Sequence, residues 1–439
     1  MRISLFAMGT QGDVQPYIAL ALALQHAGHQ VQIVASDDFE QYISGWGVPF
    51  KPLGIEVRQI MESDTFRGLM DETDNPLTAI PRVVGAVAPL ADRAYHTAIA
   101  ACAESDLLIF SLIGLLGYYM EAVRQGVPFI VAYPYPLFSS QTAEQPHFLW
   151  PIRLPPGMPF RRSYNRLTHY LVDQAFWQPV RAAAWMLRRR GLPIAPTIPG
   201  GPARLIRERG IPVLMGFSPA VYPRPHDWPA HLHITGYWFL DRQPGWEPPA
   251  DLLAFLEDGP PPVYVGFGSM TGRDPEQTAQ IVLGALRKAG QRGVLLTGWG
   301  GIGAMAPPDS VYVAEALPHD WLFPRMAAVV HHGGAGTTAA GLRAGVPTVT
   351  VPHFGDQPFW GERVRALGVG PEPIARPRLS TDRLAYAIRI ATTHPPMRER
   401  AAALGARLRA EDGVGEAVRL IEAFMRNGHP LHGNPVQGR

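Results

Sequence analysis

Four times the chain spells glycine, a β-branched residue, proline and then an apolar run: GVPFKPL at 47–53, GVPFIVAY at 126–133, GIPVLMGF at 210–217 and GVPTVTVP at 345–352. Each follows a stretch with helical character. Glycine takes the left-handed conformation that closes a helix, proline forbids its continuation, and the apolar run supplies a strand with no polar face. Strands without a polar face are buried on both sides, which is the condition of a parallel sheet covered by helices. Six further runs read the same way: ISLFAM (3–8), VQIVA (31–35), DLLIF (106–110), VYVGF (263–267), GVLLT (293–297) and AAVVH (327–331). That is too many strands for one ordinary doubly wound sheet.

The stretch PGWEPPADLLAFLEDGPPP at 244–262 separates two series of strands and reads as a linker. The expectation is an α/β chain of two Rossmann-like parallel-sheet domains facing each other across a cleft. The first occupies residues 1–240 and the second 241–405. Residues 406–439 form a C-terminal segment: EAVRLIEAFMR (416–426) is an amphipathic helix fit to cross back to the first domain, and a frayed tail follows it. In such sheets ligands bind at the carboxyl ends of the strands.

Composition narrows the function. A single cysteine, Cys102, excludes an internal disulfide and fits a reducing compartment. The N-terminus is no signal peptide, and LLIFSLIGLLGYYM (107–120) is too short to span a bilayer, so a soluble cytoplasmic protein is expected. A net charge of +2 gives no reason to expect nucleic acid. The charge is uneven, however: between 151 and 210 eleven arginines stand against only Asp173 and Glu208. This segment is either a solvated surface or, with Phe176, Trp177 and Trp185 interleaved, a peripheral contact with an anionic membrane.

Three glycine-rich loops are candidates for the chemistry. In MGTQGDVQP (8–16) a strand gives way to a helix, and Asp13 is the loop's ionisable group. It serves either as a helix cap or as a general base. GWGGIG (298–303) matches a dinucleotide fingerprint, but AMAPPDS follows and its prolines deny the required helix, so a nicotinamide or flavin cofactor is rejected.

The third loop is VVHHGGAGTT (329–338). Adjacent His331 and His332 on an extended chain point to opposite faces, which disfavours a shared metal. An oxyanion hole of the lipase type fails too, because Ser269 in FGSM lacks the nucleophile-elbow pattern. Anion binding remains. Gly333, Gly334 and Gly336 make room, a helix begins, and Thr337, Thr338 and His332 add donors that suit a diphosphate. Downstream, Asp356 and Gln357 in PHFGDQ offer the acceptor and amide groups that hydroxyl-rich ligands use.

With these residues, the chain resembles the nucleotide-sugar-dependent glycosyltransferases of the GT-B fold, nearest the sterol 3-beta-glucosyltransferases and the related antibiotic glycosyltransferases. The resemblance runs through 9–29, 236–241, 261–270, 317–364 and 367–371. It implies that His332, Gly334, Gly336 and Thr337 hold the donor diphosphate and that Ser269 contacts the donor. Leu317 and His319 would meet the uracil, and Asp356 and Gln357 the sugar hydroxyls. Plant members of the wider family have a histidine as base; Asp13 stands there in GDVQP, as in the sterol and antibiotic subgroups.

What the resemblance implies is an inverting, metal-independent transfer of a hexose, glucose by analogy, from a UDP-sugar co-substrate, with no cofactor. The acceptor is expected against the first domain, where Tyr133, Tyr135, Phe138, Phe148 and Trp150 are candidate walls for a flat lipophilic alcohol, a sterol or triterpenoid. Core packing is an equal reading of those aromatics. A macrolide or polyketide aglycone is the second choice of acceptor. A non-catalytic nucleotide-sugar-binding helper and a GT-B epimerase are the competing functions.

Overall fold

A computed structural model describes residues 1–62, 91–137, 145–150, 152–189, 191, 192, 194, 197, 200–268, 275–297 and 307–426. The chain divides into two compact units. The first contains Met1–Pro219, Pro223–Leu240 and the chain from Asp412 onward; the second contains Ala220–Tyr222 and Asp241–Glu411.

The first unit is built on a seven-stranded parallel sheet. Its strands are β1 (Arg2–Phe6), β2 (Gln30–Ala35), β3 (Phe50–Pro52), β4 (Leu107–Phe110), β5 (Phe129–Tyr133), β6 (Val213–Met215) and β7 (Leu232–Ile234). Their spatial order is β3-β2-β1-β4-β5-β6-β7. The order reverses between β1 and β4, where Ile3 pairs with Leu107. Such a reversal opens the crevice in which doubly wound sheets bind ligands.

The second unit repeats the pattern with β8 (Val263–Gly266), β9 (Gly293–Leu296), β10 (Val311–Ala314), β11 (Ala328–His331) and β12 (Thr348–Thr350). All are parallel, in the order β10-β9-β8-β11-β12, and the switch falls between β8 and β11. β4, β5, β8, β9 and β11 are buried along their whole length, as unbroken apolar runs require.

The four repeated motifs behave alike. Gly47, Gly126, Gly210 and Gly345 all adopt left-handed backbone, with φ of 74°, 67°, 61° and 76°. Each is followed by a strand: β3, β5, β6 and β12. A side chain at these positions would strain the turn.

Two details differ from the expectation. The proline-rich stretch 244–262 is not a free linker. It contains the helix Ala250–Glu257, whose Leu252 is buried in the second unit's core, and Trp246 meets Trp321 edge-on. The other is a pair of short edge strands, β7 and β10, which the apolar-run criterion passed over.

After the second unit the chain returns to the first through the helix Gly413–Arg426. Ala417 and Ile421 are buried in the core with Tyr17, Leu20 and Leu24 of the helix Gln11–His26. His29 Nε2 lies 3.4 Å from Glu422. Among the described residues no helix is long and apolar enough to cross a membrane.

Candidate active site

In the first unit the loop after β1 leads straight into the helix Gln11–His26. Thr10 is its N-cap and Asp13 stands three residues on, completing a capping box in which aspartate replaces the usual glutamate. Asp13 Oδ2 accepts from the Thr10 amide at 2.8 Å and the Thr10 hydroxyl at 3.0 Å. Its Oδ1 takes no hydrogen bond among the described residues, so one oxygen positions the side chain and the other remains available. Gly9 makes the close approach possible, since a Cβ there would lie 2.3 Å from Oδ2. Burial pushes the Asp13 carboxyl above the ordinary carboxylate range, and the two Thr10 donors pull it partly back.

Beside this loop, at the end of β4, Ser111 caps the helix Leu112–Gln125 and its Oγ accepts from the Met8 amide at 3.3 Å. The ends of β1 and β4 are thereby tied at the switch point.

The candidate acceptor wall divides by burial. Tyr133 ends β5 and is wholly enclosed. Its ring stacks on half-buried Tyr135 with centroids 6.0 Å apart, and Tyr135 meets Phe148 at 6.0 Å. Tyr133 thus backs the series from the core, while Tyr135, Phe148 and Trp150 stand nearer the surface. Trp150 Nε1 donates to Tyr164 Oη at 2.7 Å. Phe138 lies outside the described residues.

In the second unit β11 ends at His331, which is fully buried. Its Nδ1 accepts the Gly333 amide at 2.9 Å. In a neutral ring that bond places the remaining proton on Nε2, a buried donor without a partner. Burial pushes His331 well below the ordinary histidine range, and His332 and His353 fall to about 4 and about 3 for the same first cause.

The His332 ring lies over the start of the helix Ala335–Ala344, because a Cβ on Gly334 would come within 2.5 Å of its Nε2. The ring also lies against Gly268 at the end of β8, where a Cβ would sit 3.4 Å from Cε1. Ser269, the next residue, lies outside the described residues. Gly334 is the N-cap of this helix, Gly336 is exposed and Thr337 half-buried, so the first turn presents unpaired backbone N–H groups.

Gly333, with φ of 90°, packs against the Gln357 carbonyl, which brings PHFGDQ beside HHGG. Gln357 is buried, and its Oε1 accepts from the His353 amide at 2.8 Å and the Phe354 amide at 3.3 Å. Asp356 precedes the helix Gln357–Ala366, and its Oδ2 accepts from Trp360 Nε1 at 2.8 Å. Both side chains therefore carry local structural bonds.

At the head of the short helix His319–Leu322, the His319 ring stacks on Phe323 at 4.2 Å, and its Nε2 shares a hydrogen with Tyr264 Oη at 3.3 Å. Burial lowers His319 to about 4. The Leu317 side chain is buried in the core, which leaves its backbone as the part that a ligand could meet.

The motif reading missed Thr350 and His353. Both carry buried polar atoms without a partner among the described residues, Thr350 Oγ1 and His353 Nε2, as do His332 Nδ1 and Thr338 Oγ1. His353 stood in a quoted motif; the signal it lacked was burial. Unpaired buried donors at the carboxyl end of a parallel sheet are costly unless a ligand or water takes them up. Among the described residues no group of three or more His, Cys, Asp or Glu is arranged to hold a metal ion.

The fold has close counterparts among solved structures. The glycotransferase of kitacinnamycin superposes with a TM-score of 0.66 at 19% identity, covering 96% of this chain and 98% of that one. The SsfS6 glycosyltransferase of Streptomyces sp. SF2575, solved with thymidine diphosphate, gives 0.60 at 20% identity, covering 96% and 99%. Residues 3–103 match the glycosyltransferase family 28 N-terminal domain, and residues 301–424 the C-terminal domain of erythromycin biosynthesis protein CIII-like enzymes. The architecture is that of the GT-B glycosyltransferases, and the protein is an enzyme of that class.

Two sterol 3-beta-glucosyltransferases of Arabidopsis thaliana are each 36% identical to the chain. They align over 99% and 97% of it and over 67% and 68% of their own lengths. That of Neosartorya fischeri is 37% identical over 96% of the chain and 29% of its own length. The chain belongs to the sterol 3-beta-glucosyltransferase family. It spans about two thirds of these plant relatives and about three tenths of the fungal one.

Proposed function

We propose that the protein transfers glucose from UDP-glucose to the hydroxyl of a sterol or triterpenoid, with inversion and without a metal ion. The observation that carries the chemistry is the set of unpartnered donors at the head of the helix Ala335–Ala344, with His332 above them. A diphosphate leaving group gains charge as the glycosidic bond to it breaks, and fixed N–H donors at a helix N-terminus stabilise that charge without reorganising. Asp13 Oδ1 takes the proton of the acceptor hydroxyl as that oxygen attacks the anomeric carbon from the face opposite UDP. The raised carboxyl of Asp13 makes it a stronger base once ionised than an exposed aspartate.

Asp356 and Gln357 hold the sugar hydroxyls through whatever capacity their structural bonds leave them, and Tyr135, Phe148 and Trp150 face the acceptor rings. The sterol class of acceptor rests on the relatives' names and on these aromatics. A macrolide or polyketide aglycone is the second reading, favoured by the match of residues 301–424 to the erythromycin biosynthesis protein CIII-like C-terminal domain.

Purified protein incubated with UDP-glucose and a panel of sterols, triterpenoids and macrolide aglycones should release UDP with the first two classes. Binding of UDP-glucose with no release on any acceptor would point instead to a nucleotide-sugar-binding helper. Product made only with the aglycones would transfer the reading to natural-product glycosylation.

A further inference from the structure

The arginine-rich segment gains its meaning from the helix Arg161–Arg189. Its inner face is anchored by protein. Val172, Trp177 and Leu187 are buried, Trp177 meets Tyr119 edge-on at 5.7 Å, and a Cβ on Gly201 would lie 2.7 Å from the Trp177 ring. Among the described residues the outer face has no such partner. Exposed positions recur with helical spacing and carry Leu167, Tyr170, Leu171, Trp185 and Met186, with Phe160 just before the helix. Phe160 is 78% exposed, Tyr170 59% and Trp185 56%. A row of large apolar side chains in water is uncommon on a monomer and marks an interaction surface.

The charges on the same face are of one sign. Arg162, Arg166, Arg181, Arg188 and Arg189 are all exposed, and none takes part in an ion pair among the described residues, although Arg189 lies over the Trp185 ring at 4.8 Å. Other surface arginines, such as Arg2, Arg204 and Arg419, are paired with acids. The helix's one acid, Asp173, is half-buried, and burial raises it to about 7, so a single partly ionised carboxyl stands against the five exposed arginines.

We propose that this face docks the enzyme on an anionic membrane surface. Trp, Tyr, Leu and Met enter the interfacial region while the long arginine side chains reach lipid phosphates. Charge complementarity selects the partner, and the neighbouring contacts supply the reason. His147, Trp150 and Ile152 are tied to this helix: the His147 amide donates to Thr168 Oγ1 at 2.9 Å, and Tyr164 Oη, which receives Trp150 Nε1, donates to the Ile152 carbonyl at 3.0 Å. The candidate acceptor wall is therefore fixed to the docking helix, where a lipid-soluble alcohol could pass from bilayer to protein. This last step rests on the proposed acceptor class; docking itself does not.

The test is flotation of the full chain with phosphatidylcholine vesicles, with and without phosphatidylglycerol, in the absence of donor and acceptor. The wild type should float with the anionic vesicles alone and be released by high salt. The double change Arg166→Glu with Arg181→Glu should weaken binding by roughly thirtyfold or more, from the usual contribution of each juxtamembrane arginine. Leu167→Ser with Tyr170→Ser should abolish flotation while Arg398→Glu, in the second unit, leaves it unchanged. Binding that ignores lipid charge, survives both double variants or is absent in the wild type overturns the proposal. So does a dimer in lipid-free buffer that the same changes dissociate. UDP release with acceptor in detergent micelles reads the enzymatic function separately and should be the same in all four proteins.

Discussion

A carboxylate that both closes a helix and accepts a proton must divide its oxygens between the two tasks. Asp13 does so, with both Thr10 bonds on Oδ2 and, among the described residues, none on Oδ1. Asp13→Asn keeps an oxygen for the cap, so UDP affinity should be unchanged while turnover falls by roughly 100- to 10,000-fold. Isothermal titration and a UDP-release assay read the two effects; equal turnover in the variant would remove Asp13 from the base role. Because burial raises the folded-state value, ionisation of Asp13 costs stability that is present at low pH and lost as pH rises through that value. The variant should therefore melt no lower than the wild type at pH 7, and the acid limb of the wild-type rate should lie above the ordinary carboxylate range. The histidines run the other way. His319, His332 and His353 have values lowered to about 4, 4 and 3, so their contribution is full above about 6.5 and is lost as pH falls towards those values. Thermal melts of the second unit's transition between pH 7 and 4.5 should fall steadily; a flat profile would contradict the buried neutral rings.

At the scale of elements, glycines in the matched motifs do different jobs. Gly334 leaves room for the His332 ring, so Gly334→Ala should displace that ring and weaken UDP binding by about tenfold, roughly 1.4 kcal/mol, with little change in melting temperature. Gly370, in LGVGP, is structural: a Cβ there would lie 1.9 Å from the Thr348 carbonyl of β12. Gly370→Ala should cost about 1–3 kcal/mol of stability by overpacking, seen as a lower denaturation midpoint. From sequence the two glycines look alike. The strands were legible because each buried run ends where glycine and proline close a helix. β7 and β10 were not, being three and four residues long at sheet edges, where tertiary pairing rather than local pattern makes the strand.

For the whole molecule, the chain leaves the first unit at Leu240 and re-enters it at Asp412. Ile421 is fully buried in the first unit's core, so Ile421→Ala should lower that unit's stability by about 2–4 kcal/mol, measured by denaturant titration. A backbone reason reinforces the docking, since a Cβ on Gly413 would lie 2.5 Å from the Tyr237 carbonyl. The amphipathic pattern of 416–426 announces a helix with one buried face, but no periodicity tells which core receives it. By itself the sequence determined the parallel α/β class, the two series of strands and the loops with the chemistry of an anion site, because those depend on local backbone preference and on apolar runs. The tertiary structure decided which side chains of a motif are enclosed. It put Tyr133 in the core and Trp185 in water, left buried ring nitrogens of His331, His332 and His353 without partners among the described residues, and gave the arginine-rich helix one packed face and one exposed face. Burial is a property of what packs against a residue, and that information lies elsewhere in the chain.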